Sequence, residues 1–454
     1  MSDAVRPPEP AAPTLARRRR KPLNARTAEA AGWTDWIANA GFVALLVLTI
    51  LGPSMTSENT GLQSQIRMGG YLLISFAALV ALEPWRRPER LLVVPWPLLL
   101  ALGWCWISLG WAIEPSIGLR RLVLTSLVLW STFALVRKLD LERSILLVRG
   151  VLVLTLAANF VVALTNPAIG VHPINANGFE SDLTGDWRGI MIQKNYAGLT
   201  CAMTILLFAF YAERIQIGLR LGVIVASAIF LYLSDSETSQ IMVVVSLAIG
   251  ALFAWLAQSK GRERLAPSGL AWVLLAIPAL LFVSMAVDNT PYLDMLTDPA
   301  GFTGRTQIWT ALIRFYADYP LFGAGYGSFW DLGPTGPIFQ YAKGWVTEIS
   351  QGHNGYLDLL VQIGLPGTLL VLFATLVWPT QRLLRGGDHP VRPLAAAAFV
   401  FCLGHNLTES MLFDRDALSQ VFLLIALAWL WMASASDVAG GRGPRVSLPL
   451  SQRR

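Results

Sequence analysis

A single histidine, His353, closes a polar and aromatic stretch that begins near Val287 and lies between long apolar runs. Imidazole has an ordinary pKa near neutrality, so at such an edge it can take a proton from a hydroxyl. The same residue can also simply begin the next helix and bond its neighbours. Arg305, Arg188 and Lys194 lie upstream in other polar segments. A guanidinium matches phosphate oxygens in pairs, and an ammonium supplies a point charge. A base with several cations reads as a site for an anionic ligand. Lys194 has the alternative of reaching out to lipid headgroups.

Other polar residues gather at the ends of apolar runs: Asn195, Asp235, Glu237, Asn354 and the stretch His405–Glu409. Asp235 and Glu237 can bind a divalent cation or cap the helix that follows them, where acidic groups favour the dipole. Glu409 can orient an acceptor or pair with Arg415. Gly323, Gly325 and Gly327 fit either a re-entrant turn or a phosphate cradle; no βαβ context marks them as a dinucleotide fingerprint. His172 sits beside Pro173, and His389 between Asp388 and Pro390. Cys105, Cys201 and Cys402 fall inside apolar runs at spacings that suit neither a disulfide framework nor a metal site.

The elements that must position these residues are read from composition. With 54% hydrophobic and 14% charged residues, a chain of 454 residues cannot coat a soluble globule. Apolar runs near 36–53, 68–82, 91–112, 122–136, 145–165, 195–212, 220–234, 239–257, 270–287, 354–378, 394–407 and 416–433 predict an all-α polytopic membrane protein of about twelve transmembrane helices. Of the 35 Lys and Arg, nine fall on the outer side when the termini are cytoplasmic: Arg67, Arg120, Arg121, Arg188, Lys194, Arg305, Arg314, Lys343 and Arg415. The excess of basic residues inside sets that orientation and puts the loop 288–352, between the ninth and tenth spans, outside. The net charge of +6 is spread over short inner loops, which argues for lipid contact and against nucleic acid. Residues 1–32 and 435–454 are expected to be tails, with Arg17–Lys21 in a disordered basic segment, around one membrane domain at 33–434. No ionisable residue is expected mid-span, which argues against an ion-coupled transporter. From Arg305 to Asp318 the apolar residues recur at helical spacing, predicting a helix that lies on the membrane with its aromatic face down.

Three pieces in order, Arg305-Thr-Gln-Ile-Trp309, Pro320-Leu-Phe-Gly-Ala-Gly325 and His353-Asn-Gly-Tyr-Leu357, resemble the signature of the O-antigen ligase and polysaccharide polymerase superfamily. Trp187-Arg188-Gly189 with Gln193-Lys194-Asn195 is similar to a further segment of that family. Asn406-Leu-Thr-Glu409-Ser410 resembles a stretch of its exopolysaccharide polymerase branch. In that branch a histidine often precedes Lys-Asn, whereas this chain has Gln193. The likeness covers about 185–430; the first five spans match in hydropathy alone.

The resemblance implies a fold like that of the C-class membrane glycosyltransferases in a bacterial inner membrane. It implies transfer of a glycan from an undecaprenyl-pyrophosphate carrier to an acceptor hydroxyl, without cofactor or metal. His353 would then be the base, and Arg188 and Arg305 would bind the pyrophosphate. Lys194, Asn195, Asn354, Asp235, Glu237 and Glu409 would meet substrate, Asp235 and Glu237 by way of sugar hydroxyls. Polymerisation of exopolysaccharide or O-antigen repeat units is the first expectation, with a chain-length regulator as a possible partner. The alternatives are ligation of O-antigen to lipid A-core, transfer to protein, and, in a different class, transport of the lipid-linked glycan.

Overall fold

In the computed structural model, residues 32–52, 61–173, 183–258, 304–385 and 389–439 are described, the side chains of 61–64 and 435–439 excepted. Four helices come first: α1 (Trp33–Leu51), α2 (Gly61–Leu82), α3 (Trp96–Ser108) and α4 (Pro115–Thr165). They are followed by α5 (Lys194–Ala209), α6 (Ile217–Leu233) and α7 (Glu237–Gln258). Beyond residue 303 come α8 (Arg305–Asp318), α9 (Gly355–Leu372), α10 (Trp378–Arg385), α11 (Arg392–His405) and α12 (Leu418–Ala439). Among the described residues the only β pairing is an isolated bridge between Val171 and Trp187. The protein is an all-α polytopic membrane protein. The expected ninth span at 270–287 lies outside the described residues, as do the start of the loop 288–352 and most of the two expected tails.

Helix α4 runs 51 residues, about 77 Å at helical rise and more than twice the ~30 Å of bilayer hydrocarbon. The length resolves at Asp140, whose φ of 68° and ψ of 177° break the helix. The two arms correspond to the separate apolar runs at 122–136 and 145–165. The arms pack on α1, α2, α5 and α12, while α11 packs on α7 and α12. Ala395, Ala396, Ala397 and Ala398 of α11 are all buried, and small side chains allow such close helix approach.

A second break serves the loop before the site. Gly364 in α9 has φ 66° and ψ −177°, and a Cβ there would lie 2.1 Å from Leu321 O. Freed by the break, Leu365 N donates to Pro320 O at 2.8 Å, and Val361 O accepts from Ala324 N at 2.8 Å. The glycine-rich loop is thereby stitched into α9. Three further amides are also engaged: Tyr326 N donates to Ser108 Oγ, Gly327 N to Gln362 Oε1 and Ser328 N to Gly325 O. Of the two expectations for these glycines, the geometry is that of the structural turn, since those N–H groups already have protein acceptors.

Helix α8 forms over the expected residues, but its apolar face does not point at lipid. Ile308, Trp309, Leu312 and Phe315 are buried in a second core with Phe329, Trp330, Ile338, Val346 and Val361. Trp309 Nε1 donates to Gly352 O at 3.0 Å, and Phe315 stacks edge-on against Phe329 and Tyr341. The same periodicity that suits a membrane surface also suits a small core roofed by the loop's own aromatics. The loop provides that core.

Candidate active site

His353 sits immediately before α9. Its φ of 48° is in the left-handed region, rare for a residue with a side chain. The next residue, Asn354, is the helix cap: Oδ1 accepts from Tyr356 N and Leu357 N, and Nδ2 donates to Leu407 O. The cap of α9 is therefore Asn354, and His353 lies one residue before it. Gly355 N donates to the carbonyls of Asn406 and Glu409, and Asn354 N to Ser410 Oγ. These bonds bind the start of α9 to the segment between α11 and α12.

That segment delivers Glu409 beneath the histidine. Glu409 is fully buried, and Oε1 accepts from Asn195 Nδ2 at 2.6 Å and from Arg305 Nη2 at 3.2 Å. Oε2 lies 3.7 Å from His353 Nδ1, an ion-pair contact rather than a hydrogen bond. Burial alone pushes the Glu409 carboxyl up, but the adjoining His353 imidazole and then the Arg305 guanidinium outweigh it and hold it below the ordinary value. A polar chain continues inward: Ser236 Oγ donates to Asn195 Oδ1 and Ser239 Oγ at 3.2 and 3.0 Å, and Ser239 Oγ meets His405 Nε2 at 3.3 Å. Asn195 of α5, Arg305 of α8 and His353 before α9 thus meet one carboxylate, and Ser239 of α7 and His405 of α11 back it through Ser236 and Asn195.

This arrangement revises several roles. Asn195 and Asn354 were expected to meet substrate, and their side-chain polar atoms have partners within the protein; of Glu409, Oε1 is bonded, while Oε2 has only the 3.7 Å contact with His353 Nδ1. Arg415 is not the partner of Glu409; it pairs with Asp414 at 2.8 Å. Lys194 neither reaches out to headgroups nor stands free: Nζ lies 2.7 Å from Asp186 and 3.9 Å from Asp235. Asp235, with φ 48°, makes that 3.9 Å contact from an exposed side chain. Glu237 begins α7 and is exposed, as an acidic first-turn residue. Arg188 is held by carbonyls, with Nε on Ile169 O at 2.9 Å. Trp187 anchors it by packing against Phe160 and Phe230.

Beside the cluster opens a cavity of about 450 Å³ whose wall includes Arg188, Gln193, Tyr196, Gly355 and Ser410. It therefore abuts the chain neighbours of Asn195, Asn354 and Glu409. The wall also holds residues that sequence reading did not select, among them Arg67, Asp331, Asp358 and Asp416. Asp358 is an ionisable residue in the first turn of α9, at the end of the span rather than mid-span; it is buried and accepts from Trp330 Nε1 at 2.9 Å and Gly352 N at 3.1 Å. Arg149, near the start of the second arm of α4, is likewise close to a span end and is bonded to the carbonyls of Leu207, Phe210 and Tyr211. The signal available for the cavity was Asp414-Arg415-Asp416, three charges in a row between apolar segments.

Residues 222–372 match the family model described as O-antigen ligase. These residues belong to the O-antigen ligase superfamily. The O-antigen ligase segment contains Arg305 and His353 and ends with α9, so Arg188, Asn195 and Glu409 join it from outside. No curated protein matches the chain.

Proposed function

We propose that the protein transfers a glycan from an undecaprenyl-pyrophosphate carrier to an acceptor hydroxyl at the outer face of the bacterial inner membrane, extending exopolysaccharide or O-antigen repeat units. The match of residues 222–372 to the O-antigen ligase family supports glycan transfer in O-antigen or polysaccharide assembly. The observation that carries the mechanism is the contact of His353 Nδ1 with the buried Glu409 carboxylate, which also holds Arg305.

With Nδ1 turned to Glu409, Nε2 is the ring atom that takes the proton from the acceptor hydroxyl. The carboxylate keeps the ring in the tautomer with its proton on Nδ1 and stabilises the imidazolium that forms. The acceptor oxygen bonds to the anomeric carbon, and the bond from that carbon to the pyrophosphate oxygen breaks with its electron pair leaving on pyrophosphate. Arg305, with Nη2 on Glu409, and Arg188, with Nε on Ile169 O, have further N–H donors for the phosphate oxygens as that charge develops. Because pyrophosphate is already a good leaving group, charge neutralisation and one base suffice.

Ligation to lipid A-core uses the same chemistry with another acceptor, and the description of the matched family favours it as the second reading. Purified protein in liposomes loaded with lipid-linked repeat units tests the proposal. Release of undecaprenyl pyrophosphate with chain growth is expected. Movement of the lipid across the bilayer with no bond broken would instead establish a transporter.

A further inference from the structure

The wall of the cavity carries four arginines and four aspartates among the described residues. Arg67 makes a two-pronged ion pair with Asp416, through Nε and Nη2. Arg415 does the same with Asp414, at 2.8 and 3.2 Å. Arg121 lies 3.5 Å from Asp331 and donates to the carbonyls of Gly327 and Trp330. That leaves Arg188, with no carboxylate partner among the described residues, at the side where Gln193 also lines the wall.

A site built for pyrophosphate needs an excess of positive charge, because a matched carboxylate cancels the field of each guanidinium at short range. Here the four arginines are matched in number by four aspartates, and the one guanidinium without a carboxylate beside it among the described residues is Arg188, with Asp358 held instead by Trp330 Nε1 and Gly352 N. Elsewhere the wall offers fixed donors and acceptors side by side, which suits hydroxyl groups that donate and accept at once. Gln193, Gln351 and Gln362 add amides of the same dual character. His172 Nε2, buried in the wall, has no hydrogen-bond partner among the described residues. The volume of about 450 Å³ falls within the ~300–1,000 Å³ of small-molecule sites.

We propose that this cavity is a subsite for uncharged sugars of the glycan, recognised through their hydroxyls by the paired arginines and aspartates, with the pyrophosphate held at the Arg188 side. The inference rests on the transferase reading and adds a substrate class to it: a neutral repeat unit.

Full-length protein in detergent, as wild type, Asp331→Asn, Asp414→Asn and the double variant, is applied to an array of neutral and uronic-acid-bearing oligosaccharides at low and high salt. The wild type should bind neutral glycans with little salt dependence. Each single variant should bind them about tenfold more weakly or worse, as expected for losing a hydrogen bond to a charged group. The double variant should gain acidic glycans. A wild-type preference for acidic glycans, no binding to any neutral glycan, or neutral binding that survives both substitutions would overturn the proposal. Asp331 is half exposed, with 49% of its side-chain surface accessible, so its variant carries the test if Asp414→Asn fails to fold. Binding is read without turnover, which separates this result from the liposome assay. Transfer of an acidic repeat unit would refute the neutral subsite and leave the transferase reading standing.

Discussion

Glu409→Gln isolates the charge beneath His353 while keeping the side chain's volume. The glutamine carbonyl can still accept from Asn195 and Arg305, at the 2.6 and 3.2 Å the carboxylate now shows. The amide nitrogen then faces His353 Nδ1 as a donor and favours the tautomer with its proton on Nε2, which cannot accept the acceptor's proton. The developing imidazolium also loses a full negative charge 3.7 Å away, worth about 4 kcal/mol at an effective dielectric of ~20 and so about 10³-fold in rate. Comparable loss of the carboxylate behind a catalytic histidine costs ~10⁴-fold in kcat. We therefore expect kcat to fall by about 10³- to 10⁴-fold, with KM for the lipid-linked donor unchanged or lower because Arg305 loses its counter-charge. Steady-state transfer by purified protein in liposomes, with melting temperature as the folding control, provides the assay. A folded Glu409→Gln protein that keeps kcat within tenfold of wild type would refute the histidine–carboxylate pairing.

Arg305→Lys keeps the charge but loses the planar fork, so turnover should drop about 10²-fold or more; an unchanged rate in the same liposomes would make Arg305 structural. His172 is held down to about 4 from 6.5, first by burial and then by the charges of Arg188 and Lys194. Its folded pKa lies below the unfolded one, so its contribution is present above about pH 6.5 and is lost as pH falls toward 4. Melting temperatures taken from pH 7.5 to 4.5 should therefore fall, and His172→Asn should flatten the decline; parallel curves would remove His172 as its source. Gly325→Ala places a Cβ 2.4 Å from Ala112 Cα at a φ of +85°. It should destabilise by more than ~1 kcal/mol, read as a lower melting temperature; an unchanged one would show that the loop is not locked into the bundle.

Among the described residues, hydropathy located the apolar helices because apolar length is a direct consequence of bilayer thickness. It resolved α4 into two runs, and the break at Asp140 falls between them. The bounds of α8 were legible from its period, but not what covers it: Ile308 and Leu312 fit lipid or protein equally until Phe329 and Trp330 close over them. At the site, the types of His353, Arg305 and Glu409 were readable, but their grouping was not. Arg305 and Glu409 are 104 positions apart, and only the packing of α5, α8, α9 and the segment after α11 brings them into contact. The protein partners of Asn354 and Asn195 were illegible for the same reason, since a polar residue at a helix end reads alike whether it faces ligand or satisfies a cap. Asp358 escaped because the apolar run around it masks one carboxylate whose partners, Trp330 and Gly352, lie in the loop before α9.

The most direct test is a single-turnover experiment with donor-loaded liposomes, wild type against His353→Ala. The wild type should release one undecaprenyl pyrophosphate for each glycosidic bond formed. His353→Ala should bind the lipid-linked donor as tightly, fold as wild type and form no bond. Bond formation by His353→Ala at the wild-type rate, or wild-type protein that moves the donor without cleaving it, would contradict a transferase centred on His353.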